Sequence, residues 1–112
     1  MNASDERPVV DLEEVAAGIE RAFEPVDVVT VNDSIIRIAM VHGAFVWHQH
    51  EEEELFLCWA GKLRIELEGA EPIVLERGQL FVVPKGVQHR PVADEPALTM
   101  LIETPQTKQY GD

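Results

Sequence analysis

Four side chains in this sequence have the types and the spacing of ligands for one metal ion: His48, His50, Glu54 and His89. His48 and His50 are two residues apart, so on a β-strand both imidazoles project from the same face. Glu54 has the same strand parity, whereas His89 must come from a different strand. Imidazole nitrogens and a carboxylate suit one divalent transition metal, so we expect Fe, Mn, Ni, Zn, Co or Cu. Four protein ligands leave one or two coordination positions open for water or a substrate.

The histidine pair alone is a weak indication, because exposed His-X-His pairs also occur on solvated strand edges. The acidic run before Glu54 has two interpretations. For Glu51, Glu52 and Glu53 we expect a solvated turn. Glu54 differs because it begins an apolar strand, where a carboxylate needs a partner, and a metal ion is one such partner.

Short strands must position these residues. Residues 11–23 have the apolar spacing of one amphipathic helix, which Asp11 and Glu14 would begin with a capping box. From residue 26 onward the hydrophobic period changes to two. The predicted strands cover residues 26–31, 35–41, 54–60, 62–68, 72–76, 79–83 and 97–103. Many short strands separated by turn residues are typical of an antiparallel sandwich or barrel.

The length of 112 residues suits a single domain. We divide it into residues 1–25, with a helix packed on the barrel, residues 26–104, which form the barrel, and a tail of residues 105–112. The chain has 9 Lys and Arg residues against 21 Asp and Glu residues, for a formal charge of −12. Such a surface repels phosphate backbones and anionic lipids, so we expect neither nucleic acid nor membrane as a partner.

The cysteine content and the first residues of the chain indicate the cellular compartment of the protein. Cys58 is the only cysteine, which excludes a disulfide within the chain, and we expect it to be a buried apolar residue. Residues 1–10 carry charges and have no apolar stretch of the kind found in secretion signals. We therefore expect a cytoplasmic protein.

The sequence around the candidate ligands resembles the two motifs of the cupin superfamily. Residues 43–61 are similar to the first motif: Gly, then His-X-His, Glu and Gly. Residues 78–89 are similar to the second: Gly, then Pro-X-Gly and His. The sequence departs from the family pattern in two places. Gly43 is separated from His48 by four residues, where the family usually has five, and Ala93 replaces a common asparagine. Neither position is a metal ligand in the family.

The resemblance implies an all-β fold, an antiparallel double-stranded β-helix (a jelly roll, or cupin barrel) with a short N-terminal helix. Residues 47–50, 81–87, 89–93 and 107–112 are similar to small single-domain bacterial cupins called "mannose-6-phosphate isomerase-like". That label follows the fold, so the resemblance implies a scaffold and a metal site and not a substrate. Such cupins are often dimers, and we expect a homodimer.

Strand parity predicts the lining of the barrel. It places Val46 inside, with Phe45 and Trp47 outside. The other predicted lining residues are Phe56, Cys58, Phe81, Val83, Met40 and Ile38. No second acid or base has inward parity. We expect His42 at the rim, and Arg64, Arg77 and Arg90 on exposed faces. Trp47 and Trp59 would lie under the helix or in a dimer contact.

These residues support three interpretations of function. The first is a metal-dependent enzyme of the isomerase or dioxygenase type that acts on a small molecule, with its catalytic residues unknown. The second is a module that binds or senses a small ligand without turnover, which the apolar lining and missing base fit about as well. In the third, the metal only stabilises the fold.

Overall fold

The computed structural model describes residues 9–112. Residues 1–8 lie outside the described residues. They hold most of the segment 1–10, for which we predict no secretion signal. The described chain forms one short helix and seven strands. They are α1 (Leu12–Ala17), β1 (Val26–Val31), β2 (Ser34–Ala44), β3 (Glu54–Ala60), β4 (Lys62–Leu67), β5 (Ile73–Glu76), β6 (Leu80–Val83) and β7 (His89–Glu103). All of the strand pairings are antiparallel, which confirms the predicted fold class. The division of the chain at residues 25 and 104 stays a prediction.

The strand β7 is the centre of the sheet. The hydrogen-bonded order is β1-β2-β7-β3-β6, and β4 joins β7 to β5. The beginning of β7 pairs with β4, from His89 opposite Leu67 to Val92 opposite Arg64. Its later part lies between β2 and β3. Because one edge of this long strand pairs first with β4 and then with β3, the sheet folds round an interior.

The interior is a single apolar cluster to which β2 to β7 all contribute. Its buried members are Ala39, Val41, Phe56, Cys58, Leu63, Ile65, Leu75, Val83, Ala93, Ala97 and Leu101. Leu63 and Ile65 alternate with the more exposed Lys62 and Arg64 along β4, as the period of two predicts. Cys58 is a free, buried thiol, as expected.

The helix is shorter than the predicted residues 11–23. Asp11 caps it by accepting a hydrogen bond from the Glu13 N–H at 2.9 Å. Gly18 ends it with an i→i−3 bond from its N–H to the Val15 carbonyl, a tighter turn that stops α-helical propagation. Phe23, predicted on the helix face, instead adopts a left-handed backbone with φ of 62° and donates its N–H to the Met40 carbonyl.

Two strands are longer than predicted. Strand β7 begins at His89 and not at residue 97, although Pro91 and Pro96 cannot donate to a ladder. Pro91 lies opposite Ile65 of β4, and its carbonyl accepts the Phe45 N–H. Strand β2 continues to Ala44 through an irregularity between Val41 and Gly43. Gly43 has φ of 83°, which a glycine adopts without strain.

Within residues 9–112, no helix has the length and apolar character needed to cross a membrane.

Truncation of an apolar residue should cost far more stability on the buried face of β4 than on the exposed face of the neighbouring strand β5. Ile65→Ala should lower the free energy of unfolding by about 2–5 kcal/mol, because Ile65 is fully buried in the core and truncation leaves a cavity. Val74→Ala on the adjacent β5 is the matched control: Val74 is 53% exposed, so its cost should be below about 1 kcal/mol. Urea unfolding measures both, and equal losses would contradict the assignment of the core.

Candidate metal centre

The fold brings the four predicted residues together in one buried cluster. One potential ligand atom from each of His48, His50, Glu54 and His89 lies within 4.8 Å of the other three, and all four residues are buried. The cluster joins residues from the loop after β2, the start of β3 and the start of β7. A single ion could therefore contact all four side chains.

Backbone hydrogen bonds hold these residues in place. His48 and His89 form an isolated antiparallel bridge, in which His48 N–H donates to His89 O at 3.1 Å and His89 N–H donates to His48 O at 2.8 Å. Gly86, in the turn before β7, donates its N–H to the His50 carbonyl at 2.8 Å. Glu54 is the first residue of β3 and pairs with Val83 of β6. Backbone hydrogen bonds thus join the segment of His48 and His50 directly to the segment of Gly86 and His89.

All three histidines have the same ring orientation. Their Nδ1 atoms lie 2.8–2.9 Å from backbone carbonyl oxygens, namely those of Val46, Glu52 and Val87. Because a carbonyl can only accept, each Nδ1 must carry a proton, which makes Nε2 the ring nitrogen available to a metal ion. Backbone carbonyls that fix the tautomer in this way are typical neighbours of metal-bound histidines.

The electrostatics of the cluster also suit a cation. His50 Nε2 and His89 Nε2 each lie 3.4 Å from Glu54 Oε1. The Glu54 carboxylate raises the pKa of His50 to about 9. Burial opposes ionisation of Glu54, but contacts with His50 and His89 bring its pKa well below the usual value. Burial lowers the pKa of His48. His50 Nε2 is buried without a hydrogen-bond partner among residues 9–112, a position that a metal ion would satisfy.

A cavity of about 270 Å³ adjoins the cluster, with His48 and Glu54 in its wall. This volume is at the lower end of sites for small organic molecules. Its apolar wall consists of Phe23, Pro25, Ala39, Val41, Phe45, Phe56 and Leu101, and further lining residues are Asp27, Arg37, Pro91, Thr99, Glu103, Thr107 and Gln109. The cavity is therefore largely apolar, as predicted.

Several predicted lining residues lie elsewhere. Val46 is 50% exposed, while Phe45 is buried and lines the cavity, the reverse of the predicted parity. The alternation fails because residues 45–53 form no continuous strand and make only the bridge at His48. In β2 the cavity is lined by Arg37, Ala39 and Val41, not by Ile38 and Met40.

The other lining predictions have mixed outcomes. Phe56 lines the cavity as predicted. Cys58 and Val83 are fully buried and belong to the apolar core. Phe81 is half-buried and packs against that core. Glu51 and Glu53 are exposed, whereas Glu52 is half-buried and supplies the carbonyl that accepts from His50.

The prediction that the barrel contains no second acid or base is wrong. Glu103, the last residue of β7, is buried and lines the cavity beside Arg37. Arg37 donates to Glu103 Oε1 at 2.6 Å and to Asp27 Oδ1 at 2.8 Å. The sequence contained a signal for both: Arg37 interrupts the apolar run of residues 35–38, and Glu103 ends another at residues 100–102. A charge inside an apolar strand needs a partner.

The strand register explains why Glu103 lies next to Glu54. Leu55 pairs with Ile102, so the antiparallel register brings the preceding Glu54 level with Glu103. Asp27 lies directly opposite Arg37, and Arg37 opposite Leu101. Burial, and then the adjacent Glu54 carboxylate, raise the pKa of Glu103 to about 8, against the opposing effect of Arg37. The cavity thus contains two neighbouring carboxyl groups with very different proton affinities.

The remaining singled-out side chains lie outside the cluster. His42 is exposed, as expected. Trp47 is 46% exposed, and the Arg90 guanidinium lies 4.8 Å from the centre of its ring. Trp59 is half-buried and borders a surface hollow with Ala16 of α1, consistent with the expectation that the helix lies near it. Arg90 also pairs with Glu66.

The last residues of the chain pack against the histidine motif. Gln109 Nε2 donates to the Phe23 carbonyl at 2.6 Å, and the Tyr110 ring lies 5.1 Å from the Phe45 ring. Asp112 N–H donates to the Gln49 carbonyl at 3.0 Å. Gly111 has φ of 89°, and a Cβ there would lie 2.6 Å from Gln49 O. A glycine is required at this contact because any side chain would collide with backbone.

Gly111→Ala should therefore detach the tail from the histidine motif. Amide hydrogen exchange at Asp112 should accelerate, because its bond to Gln49 depends on the close approach of Gly111. Gly69→Ala is the matched control: Gly69 has φ of 78° but no atom within 4 Å of a Cβ, so it carries the same kind of backbone strain without the collision. Unchanged exchange at Asp112 in Gly111→Ala would contradict the packing described.

The metal-free protein should lose stability as the pH rises from 6.5 to 9. The pKa of His50 is raised to about 9 in the folded state, so its contribution is complete below about 6.5 and is lost as the pH passes 9. The raised pKa of Glu103 acts in the same direction up to about pH 8.

We expect a loss on the order of 1–2 kcal/mol, measured as a falling melting temperature in chelator-treated protein. His50→Gln should flatten this dependence. A melting temperature that rises over this range would contradict the charge assignment.

Comparison with known proteins agrees with the geometry. Residues 36–103 match the cupin domain family. The curated Bacillus subtilis protein YdbB, itself uncharacterised, is 38% identical over 61 residues. That alignment covers 54% of this chain and 54% of YdbB, so the chain spans about half the length of this relative.

Solved structures are similar over most of the chain. A cupin-2 domain protein from Shewanella frigidimarina is 32% identical with a TM-score of 0.82, covering 86% of this chain and 94% of that one. Hydroquinone 1,2-dioxygenase from Sphingomonas sp. TTNP3, with 4-hydroxybenzoate bound, is 25% identical with a TM-score of 0.72, covering 84% and 71%. The family match spans more than half of the chain, and the fold and the buried histidine cluster agree with it: this chain belongs to the cupin family.

Proposed function

We propose that this protein is a metal-dependent enzyme that acts on a small organic molecule in the cavity beside its histidine cluster. His48, His50, Glu54 and His89 would hold one divalent transition metal. The observation that carries this proposal is the shared ring orientation: each Nδ1 faces a backbone carbonyl, which leaves each Nε2 available as a ligand.

The chain's own residues would perform the remaining tasks. A bound metal would supply Lewis-acid or redox chemistry at its open coordination positions. Phe45 and Phe56 would exclude water from the ligand and pack against its apolar surface. Glu103, held by Arg37, supplies the second carboxyl group that can exchange a proton with a bound molecule. Its presence favours catalysis over ligand binding without turnover.

Between the two reaction types considered, we propose the dioxygenase type. The likeness to hydroquinone 1,2-dioxygenase supports it, as does the apolar wall of the cavity. A sugar phosphate isomerase needs free cationic groups for the phosphate, and the guanidinium of Arg37 already binds two carboxylates. A homodimer and a cytoplasmic location stay predictions.

Metal uptake should depend on the cluster histidines and not on a histidine outside it. His89→Ala should reduce the bound metal from about one ion per chain to a small fraction, because it removes a buried ligand and opens the shell. His42→Ala is the matched control, since His42 is exposed and outside the cluster. Elemental analysis of protein from the native host gives both the stoichiometry and the identity of the metal. Equal metal content in the two variants would refute the assignment.

Turnover should require both the metal and oxygen. Fe(II)-loaded protein is mixed anaerobically with phenols and diols, and oxygen uptake and products are followed after air is admitted. We expect uptake by the loaded wild type and none by the metal-free protein or by His89→Ala. If ligands bind to the loaded protein across a broad panel without any product, the protein is a binding module and the enzymatic proposal fails.

A further inference from the structure

One residue of the cavity wall, Glu103, has a buried carboxyl oxygen that accepts no hydrogen bond from residues 9–112. Three buried side-chain atoms have no partner among residues 9–112: Glu103 Oε2, His50 Nε2 and Glu52 Oε1. Of these three residues, Glu103 alone lines the cavity, and its side chain is 5% exposed. A buried oxygen without a partner is unfavourable, so a molecule that supplies a hydrogen bond there would bind with a gain in free energy.

The cavity wall offers no free cation to a charged ligand. Arg37 is the only Lys or Arg among the described residues that line the cavity. Its Nε donates to Asp27, its Nη1 to Glu103, and its Nη2 to the Pro105 carbonyl at 3.2 Å. With Asp27, Glu103 and the Pro105 carbonyl all bound to it, the guanidinium is not free to pair with a carboxylate or phosphate on the ligand.

The rest of the wall suits a flat apolar group. The rings of Phe23 and Phe45 lie 5.0 Å apart, and Phe56 lines the same cavity. The Thr99 hydroxyl is already engaged, because it donates to the Leu57 carbonyl at 3.0 Å. An aromatic ring would pack against these apolar side chains, whereas a sugar hydroxyl placed against them would stay unpaired at a cost.

We propose that Glu103 is the specificity-determining residue of this cavity and that its Oε2 hydrogen-bonds the hydroxyl of a neutral phenol. Arg37 acts as the positioning residue, because its bond to Oε1 orients the carboxyl group and leaves Oε2 for the ligand. The assignment deepens the proposed function, and rests on it in taking the same cavity as the ligand site. A hydroxyl can donate or accept, so the contact forms with either protonation state of the carboxyl group.

The test compares phenol with fluorobenzene, which has nearly the same shape and no hydroxyl. Calorimetry with chelator-treated, metal-free protein removes any contribution from a metal. Wild type should bind phenol at least about tenfold more tightly than fluorobenzene, and more tightly than benzoate or mannose 6-phosphate. Fluorobenzene affinity equal to that of phenol, or tighter binding of either anion, would overturn the proposal without any variant.

Three variants then assign the selectivity to one side chain. Glu103→Met keeps the length of the side chain and removes both oxygens, so the preference for phenol should fall below about threefold. Glu103→Gln retains hydrogen-bonding groups and should restore much of the preference. Asp94→Ala is the matched control, because it removes a carboxylate from Arg64 outside the cavity and should keep the full preference. Full selectivity in Glu103→Met would overturn the proposal.

The same measurements with zinc-loaded protein separate the two proposals. If the protein takes up no metal, the metal-dependent function fails, while the phenol preference of the metal-free protein still tests Glu103. If metal is bound and turnover occurs but phenol and fluorobenzene bind alike, the specificity assignment fails and the metal-dependent function stands.

Discussion

The reciprocal pair of backbone hydrogen bonds between His48 and His89 is the contact on which the site depends. In an antiparallel ladder, two residues that exchange both bonds lie directly opposite each other. Here that contact joins the loop after β2 to the start of β7 and places the two imidazole rings 4.4 Å apart. It forms outside the regular ladders, so it relies on β7 being held by its pairing with β4 and β2. The pairing of β7 with β4 and β2 therefore both closes the barrel and brings the two motifs together.

This arrangement buries a set of polar groups, and two of their atoms have no hydrogen-bond partner among residues 9–112. Three histidines and a glutamate share one small volume, and a second ionic group of Asp27, Arg37 and Glu103 adjoins it. Buried polar groups are costly unless they are hydrogen-bonded, and His50 Nε2 and Glu103 Oε2 have no hydrogen-bond partner in the part of the chain that the structure describes. The proposed metal would satisfy His50 Nε2, and the proposed ligand would satisfy Glu103 Oε2.

Membership of the cupin family explains the scaffold, whereas the cavity residues would decide which molecule is bound. Cupin motifs account for the scaffold and for the histidine cluster, and similar scaffolds support many reactions. The features that would distinguish this protein lie outside the motifs, in Phe23, Phe45, Arg37 and Glu103. Phe23 combines backbone strain with a place in the cavity wall. Its φ of 62° is unfavourable for a bulky residue, and its ring lines the cavity.

The sequence by itself determined most of the strands, the cap at Asp11, the buried Cys58 and the four residues of the cluster. These follow from local periodicity and from motif spacing, which depend on residues close together in the chain. Tertiary structure alone decided the rest. Residues 45–53 follow no regular alternation, so parity placed Val46 and Phe45 on the wrong sides. Strand β7 begins at His89 because its first residues pair with β4, although Pro91 cannot donate a hydrogen bond to a ladder. The carboxyl group of Glu103 lies next to Glu54 only because two strands distant in sequence share one register. Pairings of this kind are non-local, and no pattern within a single segment contains them.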